Sequence, residues 1–313
     1  VVRQVDWEVA AQQIRVGDVG AFPTETVYGL GAHPFHPLAL QRIFSIKGRS
    51  QKQPLSLHIG QLPDLFKFAQ NLPASASLLA GRFWPGPLAL IVPASPLVPA
   101  EAQSDRQTVA FRYPANDTCQ RFLRYVGCPV AATSANKSGS LSPLSSLDVE
   151  EEIGGEIDFL LQDSNPRQLE STIVDLTCTP IRILRQGAIS KEQLEAESGL
   201  PFVLAGPILD PLMIELVRGS PRHFSHFIEQ EGRNLSGVMI LSRERPISPN
   251  GWHWVRLEED GPTFFVQLAS LHRARFNRLV IHDIWQETSS IHRRLVLRAT
   301  KIIDLEKGEG KCI

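Results

Sequence analysis

The chain has 313 residues, of which 42% are hydrophobic and 21% charged. That mix can bury a core and excludes a disordered chain, and at about 150 residues per domain the length predicts two domains. Lys and Arg number 32 against 33 Asp and Glu, a net charge of −1, so no bulk charge draws the chain to nucleic acid or an anionic membrane, although a local basic pocket is compatible with the balance.

No run approaches the ~18 apolar residues of a membrane span, and Val1 to Asp6 lacks the basic-then-apolar pattern of a signal peptide. The chain opens on Val1 rather than Met, which predicts residues before it. Cys119, Cys128, Cys178 and Cys312 form no CxxC pair and stand near no His pair at zinc spacing. Free thiols in a reducing, cytoplasmic compartment are the simplest reading.

In chain order, Val19 to Phe22 reads as a buried strand stopped by Pro23. Pro23 to Gly31 follows the strand end, where ligands bind in open α/β sheets. Thr24, Thr26 and Tyr28 offer hydroxyls there, and Gly29 and Gly31 permit close approach; a plain strand-to-helix loop with Tyr28 in the core explains the same residues. Pro37 to Ile46 predicts a helix with Pro in its first turn. Lys47-Gly48-Arg49, followed by Lys52, is either a solvent-facing C-terminal cap or a phosphate clamp. Leu55 to Ile59 alternates as a strand and carries His58, a core histidine or a ligand-facing one. Leu88 to Val92 and Thr108 to Phe111 are further strands, and Arg112 at the end of the latter is placed for an anionic ligand. Asn116 to Val126 is helical, with Phe122, Leu123 and Val126 on one face.

Val130 to Ala132 is a short strand running into the polar loop Thr133 to Gly139, where Ser134 and Asn136 suit a nucleobase or phosphate oxygen, or simply a solvated turn. Asp158 to Leu161, Ile173 to Leu176 and Ile181 to Leu184 add strands, bordered by Ser171, Thr172 and Arg185. Strands alternating with helices indicate α/β, and the close pair after Thr172 indicates a mixed sheet, since no crossover helix fits between its strands. Ser190 to Glu197 is a short helix, and the weakly periodic Gly199 to Ser220 holds the domain boundary. Beyond it, strands at Gly237 to Leu241 and Arg278 to His282 alternate with helices at Pro262 to Arg273 and Ser289 to Thr300.

The chain contains no GxxxxGK[ST], no GxGxxG and no GxSxG. His33 and His36 flank Pro34-Phe35 without a third nearby metal ligand. Cations and hydroxyls without an evident nucleophile suit substrates that react with each other while the protein neutralises and orients them.

Seven ordered stretches strongly resemble the threonylcarbamoyl-AMP synthase (Sua5/YrdC/TsaC) family: PTETVYGLG at Pro23 to Gly31, KGRSQKQPLSLHI at Lys47 to Ile59, FWPGPLALIV at Phe83 to Val92, FRYP at Phe111 to Pro114, TSANKSG at Thr133 to Gly139, STIVDL at Ser171 to Leu176 and ILRQGAI at Ile183 to Ile189. The resemblance implies an open twisted mixed α/β sheet with a concave cavity over residues 1–200, a linker over 201–232 and a small Rossmann-like C-terminal α/β domain over 233–313. It implies L-threonine, bicarbonate or CO2, and ATP with Mg²⁺ as reactants, and threonylcarbamoyl-AMP, pyrophosphate and water as products. A downstream transferase complex then modifies tRNA to N6-threonylcarbamoyladenosine. By the same resemblance Thr24, Tyr28 and His58 hold threonine, Lys47 and Arg49 clamp the ATP phosphates, and Arg112, Ser134, Asn136 and Arg185 contact the nucleotide, with Ser171 lining the cavity.

Two departures stand out. The family's linker carries a motif close to SPGMxYxHYxP, here reduced to Ser220-Pro221-Arg222-His223-Phe224-Ser225-His226-Phe227, and Gln186 stands where a Pro is usual. The altered linker keeps a catalytically impaired, nucleotide-binding paralogue in view. An RNA-binding or ribosome-associated protein on the same cavity is a further alternative. A third is a carbamoyltransferase of hydrogenase maturation, a longer type with Cys-rich zinc motifs that this chain lacks.

Overall fold

The computed structural model describes residues 2–48, 54–138, 140, 142–163 and 170–205, and six strands of the C-terminal part. Two compact units divide the chain, the first holding nearly all residues up to Pro207 and the second Ile208–Ile313.

The described part of the first unit is built on an eleven-stranded mixed sheet. Its strands are β1 (Arg3–Val5), β2 (Gly20–Phe22), β3 (Gly29–Ala32), β4 (Ser56–His58), β5 (Leu88–Pro93), β6 (Thr108–Arg112), β7 (Val130–Ser134), β8 (Phe159–Leu161), β9 (Thr172–Asp175), β10 (Ile181–Arg185) and β11 (Phe202–Leu204). They lie in the order β1-β8-β2-β3-β7-β4-β6-β5-β9-β10-β11. The strands expected at Val19 to Phe22, Leu55 to Ile59, Leu88 to Val92, Thr108 to Phe111, Val130 to Ala132, Asp158 to Leu161, Ile173 to Leu176 and Ile181 to Leu184 are present within a residue or two. The antiparallel β9–β10 pair is the mixed element that the short connection after Thr172 requires.

No helix follows Pro23. The segment turns back, and Gly29–Ala32 pairs antiparallel with β2. Glycine at position 31 has a steric cause: a Cβ there would lie 2.7 Å from the Phe22 ring and 2.8 Å from Val130. The alternating glycines thus form a strand that the sequence disguises as loop.

The first unit's helices are α1 (Trp7–Val16), α2 (Pro37–Lys47), α3 (Pro63–Phe68), α4 (Ala74–Phe83), α5 (Asp117–Val126), α6 (Ser146–Ile153) and α7 (Lys191–Ser198). Local chemistry sets their ends. Asp6 caps α1 by accepting from the Val9 N–H at 2.9 Å, and Asn116 caps α5 through the Cys119 N–H at 2.7 Å. Ser190 and Gln193 make a capping box at α7. Helices α1 and α5 pack with Phe22, Val130, Ala132, Phe159 and Leu161 in one apolar cluster. The larger cluster joins α2, α3, α4 and α7 to Leu57, Leu90, Val92 and Phe111.

Phe111 is fully buried in a central strand of that larger core. Phe111→Ala is expected to lower the unfolding free energy by about 3–5 kcal/mol, measured by urea titration.

The second unit holds β12 (Met213–Arg218), β13 (Val238–Ser242), β14 (His253–Arg256), β15 (Arg278–His282), β16 (Lys301–Asp304) and β17 (Glu309–Cys312). These form one sheet in the order β14-β13-β15-β12-β16-β17, parallel throughout except for the β16–β17 edge. The expected strands at Gly237 to Leu241 and Arg278 to His282 correspond to β13 and β15. The helices expected at Pro262 to Arg273 and Ser289 to Thr300, and the altered linker motif, lie outside the described residues.

Candidate active site

A cavity of about 360 Å³ lies over the central strands of the first sheet, within the size range of small-molecule sites. Its floor follows the two-residue period of strands. Ser56 and His58 of β4, Ala89 and Ile91 of β5, Ala110 and Arg112 of β6, Ala132 and Ser134 of β7 and Ile173 of β9 all line it. The intervening Leu57, Leu90, Val109, Phe111 and Val174 belong to the larger core. Register brings the polar pair together, since His58 pairs with Arg112 across the parallel β4–β6 ladder. Ala89, Ala110 and Ala132, on β5, β6 and β7, leave space that larger side chains would fill.

Of the residues expected at a site, Tyr28, His58, Arg112, Ser134, Ser171 and Arg185 line this cavity together. Thr24 is fully buried against Arg112. Lys47 and Asn136 stand next to Ser134 through backbone contacts. Arg49 and Lys52 lie outside the described residues.

The hydrogen bonds give these residues distinct tasks. Arg112 Nη2 donates to Thr26 Oγ1 at 2.6 Å, and to Thr24 Oγ1 and Glu25 Oε1 at 3.0 Å each. The other Glu25 oxygen accepts from the Ala115 N–H at 3.1 Å. The Arg112–Glu25 ion pair is buried, with side-chain exposures of 6% and 8%. The Tyr28 hydroxyl donates to the Asp163 carbonyl at 3.0 Å and accepts from its N–H at 3.2 Å. Burial of the phenol raises its pKa. Lys47 is buried rather than solvent-facing. Its Nζ donates to the carbonyls of Ser134 at 2.6 Å and Asn136 at 2.7 Å, while its own carbonyl accepts from the Ser138 N–H at 2.8 Å. Gly48 ends α2 in the left-handed region at φ 59°, so the Lys-Gly pair is a helix cap that also grips the loop after β7.

At the other rim, Arg185 Nε and Nη2 donate to the Ser171 carbonyl at 3.0 and 2.8 Å, and Nη2 also to Ser171 Oγ at 3.1 Å. Arg185 Nη1 pairs with Glu170, which also accepts from the Ser142 hydroxyl. Glu25 and Glu170 are the residues that sequence reasoning missed. An acid inside PTETVYG and another just before STIVDL were the only signals, and neither names a partner.

Burial, followed by the neighbouring Arg112 charge, lowers the His58 pKa to about 3. His58 is therefore a neutral hydrogen-bonding group at pH 7. Below about pH 6.5 the unfolded chain binds a proton that the folded chain refuses, so stability falls as pH drops toward 3. Between pH 6.5 and pH 5 the wild type should lose about 2 kcal/mol more than His58→Asn, read from urea titrations at both pH values.

The Sua5/YciO/YrdC family model, described as "Telomere recombination", matches residues 12–187, which include every cavity-lining residue. The chain is 42% identical over 197 residues to a threonylcarbamoyl-AMP synthase of Pyrococcus abyssi, covering 62% of this chain and 58% of that protein. It is 35% identical over 254 residues to the Bacillus subtilis protein of the same name, covering 75% and 73%. The solved structure of P. abyssi Sua5 complexed with L-threonine superposes with a TM-score of 0.66 at 28% identity, covering 97% of this chain and 99% of that one. With the family segment spanning the whole described cavity, the chain belongs to the Sua5/YciO/YrdC family.

Proposed function

We propose that the chain is an L-threonylcarbamoyladenylate synthase, joining L-threonine, bicarbonate or CO2, and Mg-ATP with release of pyrophosphate and water. The observation that carries this is the cavity itself: one sheet face gathers Arg112, His58, Ser134, Ser171 and Arg185 inside the segment shared with relatives named for that activity. The P. abyssi structure holding L-threonine supports an amino acid as one substrate.

The chemistry suits these side chains. Bicarbonate gives CO2 with loss of water, and the threonine amine forms an N–C bond to that CO2 and releases a proton to solvent, giving a carbamate; where CO2 itself is supplied no water is released. A carbamate oxygen attacks the ATP α-phosphorus, the Pα–O bond to the β-phosphate breaks, and its electron pair leaves on pyrophosphate. Charge grows on the phosphoryl oxygens, where fixed cations and N–H donors act most strongly. Lys47 and Arg49 are assigned to those phosphates, Arg112, Ser134, Asn136 and Arg185 to the nucleotide and its phosphates, and Thr24, Tyr28, His58 and Ser171 to the threonine end. Given its bonds, Tyr28 acts by shaping the wall and Thr24 by supporting Arg112. Keeping water out of the cavity during the reaction would also protect the water-labile carbamate.

Magnesium enters with the nucleotide. Among the described residues no three His, Cys, Asp or Glu side chains converge on a metal position, and Glu170 is the one carboxylate among the described cavity-lining residues. That set fits an ion carried by phosphates rather than a protein cage. The product would feed a separate transferase that modifies tRNA, in the cytoplasm where ATP is held. Among the described residues no helix is long and apolar enough to cross a membrane.

Pyrophosphate release tests the reading. It should require threonine, bicarbonate and Mg-ATP together. ATP binding without turnover, joined to salt-sensitive RNA binding, would favour a binding protein on the same cavity.

A further inference from the structure

A second pocket, of about 300 Å³, is lined by Trp7 of α1 and by Arg121, Arg124 and Tyr125 of α5. It shares no lining residue with the central cavity. Phe122, Leu123 and Val126 of α5 face the core, which turns Arg121, Arg124 and Tyr125 to solvent. All four lining side chains end in a planar π group, and neither an aliphatic side chain nor a carboxylate is among them. Trp7 and Tyr125 meet at 81° with centroids 5.5 Å apart. A base stacked on one ring therefore meets the other at its edge. The Arg15 guanidinium lies over the Tyr125 ring at 5.2 Å and is held by the carbonyls of Val126, at 3.0 Å, and Tyr125. Arg124 donates from Nη2 to Gln120 Oε1 at 2.6 Å and from Nε to the Gly60 carbonyl at 3.4 Å. The aromatic corner and one cation are thus set in place before any ligand arrives. No ion pair among the described residues includes Arg15, Arg121 or Arg124. Asp6, Glu8 and Asp117 are close in sequence, so the face carries little net charge and its pull on an anion is short-ranged.

We propose that this α1–α5 face binds an unpaired nucleotide of a single-stranded nucleic acid: its base stacks in the Trp7–Tyr125 corner and its flanking phosphates take Arg121 and Arg124. Aromatic faces accept any base, and guanidinium forks match phosphate oxygens. The anchor of a protein interface carries an apolar core, and this lining holds no aliphatic group. A duplex keeps its bases stacked on one another and offers the corner no free face, so the site selects single strands. The residues involved lie more than 100 positions apart in the chain, and only the packing of α1 on α5 interleaves rings with cations. The assignment does not rest on the synthase reading.

The test uses the full chain and a fluorescein-labelled oligouridylate of about ten nucleotides, within the range of single-strand sites. Anisotropy titrations over a salt series compare the wild type with Trp7→Ala, Trp7→Phe, Arg121→Glu and the cavity variant Lys47→Met. The wild type should bind at low ionic strength, and two phosphates on a single strand predict a log–log salt slope of about −1.4. Trp7→Ala and Arg121→Glu should each weaken binding about fivefold or more. Trp7→Phe, which keeps a stacking face, should retain most of the affinity, and Lys47→Met should bind as the wild type does. The same strand annealed to oligoadenylate should bind about fivefold or more weakly. Should Trp7→Ala not fold, Arg121→Glu set against Trp7→Phe decides. Absent binding at low salt, equal binding by folded Trp7→Ala or Arg121→Glu, or equally tight binding of the duplex would each overturn the proposal. So would equally tight binding of a labelled polyglutamate, which marks a surface for acidic protein, or loss of binding in Lys47→Met, which puts the strand in the central cavity. Whatever pyrophosphate release the wild type shows should persist in Trp7→Phe and Arg121→Glu. Failure of the synthase reading shows separately, as absent release by the wild type.

Discussion

Arg112→Met is expected to lower the unfolding free energy by about 3–5 kcal/mol, because it strands the Glu25 carboxylate in a site where both partners are over nine-tenths buried. The lost guanidinium also leaves the hydroxyls of Thr24 and Thr26 short of a donor, and both residues are fully buried. The cost belongs to the stranded charge rather than to the pair. Replacing both partners, as Glu25→Leu/Arg112→Met, should therefore recover a large part of the loss. Urea titrations of the two single variants and the double variant form a double-mutant cycle. A strongly negative coupling is the expected result, and additive losses would show that Glu25 and Arg112 do not sense each other. Both single variants should also lose turnover, since Arg112 forms the floor beside His58.

Lys47→Met is expected to slow pyrophosphate release by about 10²–10³-fold, the scale on which one well-placed donor to developing charge matters. The fold should survive, at a cost of about 1–3 kcal/mol for the lost carbonyl contacts. Two consequences combine in the activity loss. A cation beside the cavity disappears, and the loop from Ser134 to Ser138 loses the side-chain half of its grip on α2. Lys47→Arg should rescue poorly, because a planar fork does not reproduce a compact ammonium held between two converging carbonyls. Near-wild-type turnover by Lys47→Met would remove Lys47 from the machinery.

Period-two alternation announces β4, short apolar runs announce β5, β6 and β10, and apolar spacing announces α2 and α5, because these elements pack on the core. Strand β3 was illegible because its glycines answer to Phe22 and Val130, contacts set only after folding. Short β1 (Arg3–Val5) and helix α1 carry too little pattern beside their exposed residues. His58 and Arg112 were visible as polar residues at strand positions, yet their adjacency is a matter of register between strands far apart in sequence. Glu25 pairs with a residue 87 positions away, a distance no local spacing encodes. The Lys47-Gly48 cap was legible, whereas burial of the lysine against the loop after β7 was not. The three floor alanines read as unremarkable core, although their small size is what opens the cavity.

The central claim is that one cavity joins an amino acid, an inorganic carbon source and a nucleotide. The most direct measurement supplies ¹³C-bicarbonate, L-threonine and Mg-ATP to the full chain and applies rapid mass spectrometry to the quenched mixture. A threonylcarbamoyl-adenylate bearing the ¹³C label, absent when any one substrate is omitted, is the predicted result. ATP bound by folded protein with no labelled adenylate at any time point would contradict it.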